Sequence, residues 1–95
     1  MARVERELVA EKAAALGRAG ERLEEALAEV ARVAAALDST EDVATRERLH
    51  GAYEQAWRRA ASARLALVIQ REAVGLWHHH LVEQQFPEPP RRRLP

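Results

Sequence analysis

Three consecutive histidines, His78, His79 and His80, form the stretch of this chain with most capacity for chemistry. Imidazole is a good ligand for zinc or iron and titrates near neutrality. Adjacent helical positions diverge by ~100°, however, so a regular helix cannot aim all three rings at one ion. The usable pairs are His79 with Glu83 and His80 with Glu83, each supplying two ligands. A zinc or iron site usually needs more than two, so a symmetric dimer or another chain would have to complete it. The simpler expectation is that the histidines are polar residues favoured by the dipole at a helix carboxyl end. A pH-sensitive interface is a third use of the same rings.

Glu47-Arg48-Leu49-His50 is a second constellation, weaker as a metal site. Its Glu-x-x-His spacing resembles the element with which ferritin-like di-iron bundles bring a carboxylate and an imidazole to one metal. Such a centre also needs inward-facing glutamates from other helices. Glu25 and Glu29 are at a suitable height but lie on the polar arc of their own segment. No glycine-rich phosphate loop is present, and neither Ser39 nor Ser62 has a base and an orienting partner within the pattern. No catalytic residue is therefore assigned, and no cofactor is expected; zinc or iron is the alternative.

Trp57 and Trp77 are large anchors in a chain with four aromatic residues, and their first use is packing in a core or a bundle interface. Arg58, Arg59, Arg64 and Arg71 scatter around the helical wheel among Glu54, Glu72 and Glu83, so no continuous phosphate-binding stripe forms. The tail, Pro87-Glu88-Pro89-Pro90-Arg91-Arg92-Arg93-Leu94-Pro95, has the Pro-x-x-Pro-x-Arg spacing that proline-recognition domains accept. A solvated, disordered tail is expected first, docking on a neighbouring subunit second and recognition by another protein third. Phe86 is out of place in a segment that does not pack.

The elements that must position these residues are helical. Twenty of the 95 residues are alanine, which favours helix but buries little apolar surface. In the first segment Val9, Leu16, Leu23, Leu27, Val30, Ala34 and Leu37 share one stripe, flanked by Val4, Leu8, Ala26 and Val33, with mixed charges opposite. Gly20 falls on the stripe and suggests close helix approach. The break Asp38-Ser39-Thr40-Glu41-Asp42 follows, where Ser39 and Asp42 have the spacing of a capping box. In the second segment Leu49, Tyr53, Ala56, Ala60, Ala63, Leu67, Val74 and Leu81 form a coiled-coil-like seam. A second stripe holds Val43, Trp57, Ala61, Leu65, Val68, Ile69 and Leu76.

The fold class read from this pattern is all-α: an antiparallel hairpin of two long helices, dimerising into a four-helix bundle to cover the second stripe. The hairpin takes residues 1–86, with helix 1 over about 2–37, a turn at about 38–41 and helix 2 over about 40–83; the Pro/Arg tail takes 87–95. Folding about residues 39 and 40 puts Gly20 near Ala60 and carries residues 77–83 to, or just past, the amino terminus.

Equal numbers of basic and acidic residues give no net field to attract nucleic acid or an anionic membrane. The absence of cysteine excludes disulfides and thiol chemistry. No signal-peptide core or membrane-length apolar run is present, which leads to the expectation of a cytoplasmic protein. Arginine in place of nearly all lysine, with no asparagine, suggests a GC-rich or heat-adapted bacterial source. The functional expectation is a non-enzymatic scaffold, adaptor or regulatory partner acting through Trp57, Leu65, Val68, Ile69, Leu76 and Trp77. Its partner would be itself, as a homodimer or higher even oligomer, or a larger protein; neither nucleic acid nor membrane is expected.

Overall fold

A computed structural model describes residues 2–92. Helix α1 spans Ala2–Ser39, α2 spans Val43–Ala73 and α3 spans His80–Gln85. The alanine-, glutamate- and leucine-rich composition sustains α1 for ~57 Å at the usual helical rise. It overhangs α2, which is seven residues shorter (38 against 31). The two long helices pack side by side into a rod 63 Å long. Among the described residues no strand occurs, and no helix is long and apolar enough to cross a membrane.

The turn differs in detail from the capping box expected. Ser39 closes α1 and donates its hydroxyl to the Ala36 carbonyl. Asp42 is the cap of α2, with extended backbone and a carboxylate that accepts from the Thr45 amide at 2.8 Å and from the Thr45 hydroxyl. Arg46 reaches back from α2 to donate to the Leu37 and Thr40 carbonyls at 3.0 and 2.8 Å. That cation therefore meets carbonyls left open at the negative end of α1. The centre of the turn moves from residues 39 and 40 to Glu41.

Helix 2 stops ten residues before the Glu83 expected from its periodicity. The Gly75 amide donates to the Glu72 carbonyl and the Leu76 amide to the Arg71 carbonyl, the bond pair of a Schellman stop. Gly75 sits at φ 87°, where a Cβ is strained, so glycine makes the stop possible. The chain then reverses, and α3 runs back along the hairpin instead of extending past the amino terminus.

Two apolar clusters hold the hairpin. Near the turn, Val30, Val33 and Leu37 of α1 meet Tyr53, Ala56 and Ala60 of α2. Farther along, Ala19 and Leu23 meet Leu67, with Val82 of α3 as the third side and Phe86 packed at the edge. The expected seam of α2 is therefore the buried one as far as Leu67, whereas Val74 and Leu81 lie beyond the helix end and are exposed. Gly20 permits no close approach: a Cβ there would have nothing within 4 Å. It borders the groove into which α3 settles.

Candidate interaction surface

In place of the solvated tail expected first, residues 86–92 lie along α2 of their own chain as a strap, running from the middle of the hairpin toward its turn. Arg64 donates to the Phe86 carbonyl, Trp57 Nε1 to the Pro89 carbonyl at 2.9 Å and the Tyr53 hydroxyl to the Pro90 carbonyl. Proline-rich backbone makes no internal hydrogen bonds, so its carbonyls are open to such donors, and a tryptophan and a tyrosine on one face suit it. The flanking cations complete the fit. Arg91 stacks 4.3 Å from the Trp57 ring centroid and pairs with Glu54, which Arg58 also approaches at 3.3 Å. Arg92 lies over Tyr53 and pairs with Asp38 at 3.0 Å.

The Arg92 hydrogen bond, helped by the charges of Arg92 and Arg46, holds the Asp38 carboxyl below its ordinary range. Asp42 is likewise lowered, first by the Thr45 hydroxyl and then by the Thr45 amide. Between the strap and α1 a cleft remains, bordered by Leu27, Val30, Ala34, Phe86 and Pro89. Arg93, Leu94 and Pro95, the end of the expected tail, lie outside the described residues.

The six residues assigned to an interface are split by the strap and by the stop at Gly75. Trp57 is half-buried beneath Arg91, so the strap already uses it. Val68 is half-buried, whereas Leu65 and Ile69, one helical turn apart, are 61% and 53% exposed. Leu76 and Trp77 are exposed too, but they follow the reversal and no longer continue a stripe of α2. The strap was not visible in the hydrophobic pattern because its anchors are main-chain carbonyls. The only sequence signal for it was Phe86 beside a proline-arginine run.

The histidines end in different surroundings. His79 precedes α3, its Nδ1 accepting from Arg71 Nε at 3.2 Å and its Nε2 lying 3.3 Å from a Glu72 carboxylate oxygen. Arg71 also donates to the His78 carbonyl, so the guanidinium and the His79 ring brace the reversal. Both ring nitrogens of His79 are thus engaged by α2. His80 and Glu83 are exposed on α3. Glu47 is exposed and His50 half-buried, with Nδ1 lacking a hydrogen-bond partner. Among the described residues no three histidine, aspartate or glutamate side chains converge as a metal site would require.

No protein-family model, curated protein or solved structure matches this chain. Its function has to be argued from its own surface.

Proposed function

We propose that the chain is a non-enzymatic helical interaction module whose working surface is the outer face of α2 around Leu65 and Ile69. One observation supports this reading above the others: two large aliphatic side chains stand exposed one turn apart in mid-helix, beside the half-buried Val68. A single exposed leucine needs no explanation, but paired ones on a helix otherwise edged by charge form an anchor for a second helix. Pairing two hairpins across this face makes a four-helix bundle, with Arg58 and Glu72 at its margin. The role is that of a scaffold, adaptor or regulatory subunit. Leu65→Glu and Ile69→Glu would each place a charge in that contact and are expected to yield monomers in size-exclusion chromatography with light scattering. Variants that keep the parent mass contradict the assignment.

A further inference from the structure

We propose that the groove occupied by the strap is an exchangeable site, and that its second occupant is the same segment, α3 with residues 86–92, from another copy of this chain. The two copies then join end to end by trading their straps. This contact is separate from the Leu65 and Ile69 face and does not depend on it; with Gly75 in place the closed chain predominates at low concentration, so a Leu65→Glu chain is still expected to be a monomer there.

The groove is specific for this segment. Three side chains of α2 donate to three carbonyls of the strap, Glu54 and Asp38 receive Arg91 and Arg92, and Val82 fills the apolar end. Every one of these contacts is intramolecular only because the linker 74–79 reverses the chain. A linker that straightens lets identical contacts form with a second molecule, which is the low-cost route to a dimer.

Two features of the open end favour straightening. The stop rests on Gly75 at φ 87°, while the residues on both sides carry on the apolar pattern of α2, so α2 and the linker can form one helix. In addition, among the described residues seven of the ten large exposed apolar ones cluster there: Val4, Leu8 and Val9 on α1, and Val74, Leu76, Trp77 and Leu81 around the reversal. Ala73 and Val74 already border the same concave surface as Val9 and Lys12. A straightened α2 therefore runs beside the overhanging, unpartnered start of α1 and covers Val4 and Leu8. The direction also fits. In the closed chain the strap enters the groove from the open end and runs toward the turn, so a strap leaving one molecule coaxially enters the next with the same polarity.

The test is Gly75→Ala in a Leu65→Glu chain, where the α2 face is disabled. Alanine disfavours the positive φ of the closed stop and favours the straight helix. Each chain of the dimer straightens its own linker, so dimer affinity should rise by roughly tenfold per chain, about a hundredfold together. Mixing a nitrogen-15-labelled copy with an unlabelled copy spin-labelled at Glu88→Cys should broaden the Tyr53 and Trp57 amide signals of the labelled copy. A Gly-Ser-Gly insertion between Trp77 and His78, which permits reversal without Gly75, should return the protein to monomer. The proposal is overturned if Gly75→Ala stays monomeric, if its dimer leaves those signals sharp, or if the insertion leaves the dimer intact.

Discussion

Tyr53 separates the contribution of the strap from that of the core, because its ring and its hydroxyl serve different partners. The side chain is 1% exposed, with the ring among Val30, Val33 and Leu37 and the hydroxyl on the Pro90 carbonyl. Tyr53→Phe keeps the ring and removes one hydrogen bond, for which a net loss of about 1 kcal/mol is typical. Pro90 is exposed, so water can take up its carbonyl and no buried acceptor is stranded. Tyr53→Ala also removes the ring, and truncating a buried aromatic costs about 3–5 kcal/mol. At the entropy of unfolding of a domain this size, the phenylalanine variant should melt about 4–8 °C below the parent, and the alanine variant several times farther.

Thermal unfolding followed by far-ultraviolet circular dichroism measures the global change. Trp57 emission in a Trp77→Phe chain reports the strap directly, since Arg91 stacks on that indole. The phenylalanine variant should shift Trp57 emission to the red at temperatures where helicity is still intact. An unchanged melting temperature together with unchanged emission would refute the anchoring argument. Equal losses for the two variants would refute the division between hydroxyl and ring.

Two further outcomes follow from the same geometry. Leu23 is fully buried between α2 and Val82, so Leu23→Ala should destabilise the chain by about 2–5 kcal/mol in urea unfolding; a loss below that range would mean α3 does not close this cluster. The carboxyls of Asp38 and Asp42 titrate lower when folded than their ordinary 3.8, so they stabilise the fold above that value. Their contribution fades as pH falls below 3.8 through the lower folded values. An acid titration by nuclear magnetic resonance should therefore release the Arg92 end of the strap before the helices melt. Simultaneous loss of strap and helix would count against the Asp38 pairing.

The hairpin was legible because its determinants are local and periodic. Leu23, Val30 and Leu37 repeat on one side, Tyr53, Ala56, Ala60 and Leu67 on the other, and the polar run between them has no apolar face to continue. The stop at Gly75 was not legible, since one glycine within Val74-Gly75-Leu76-Trp77 interrupts no pattern and costs a helix only about 1 kcal/mol. What decides it is burial of Val82 and Phe86 far back along the chain, together with the brace of Arg71 on His79 and the His78 carbonyl. Continuing the helix across that point also gives the register in which Leu76 extends the second stripe and His79 or His80 faces Glu83. The position of the strap depends on backbone carbonyls meeting Tyr53, Trp57 and Arg64, a long-range match that side-chain periodicity does not encode.

Whether the outer face of α2 joins copies of the chain can be read by native mass spectrometry of the untagged protein beside its Leu65→Glu and Ile69→Glu variants. An even-numbered assembly is expected for the parent and, at low concentration, a single chain for each variant, with circular dichroism confirming that both remain helical. A monomeric parent, or variants that keep the parent's subunit number, would contradict it.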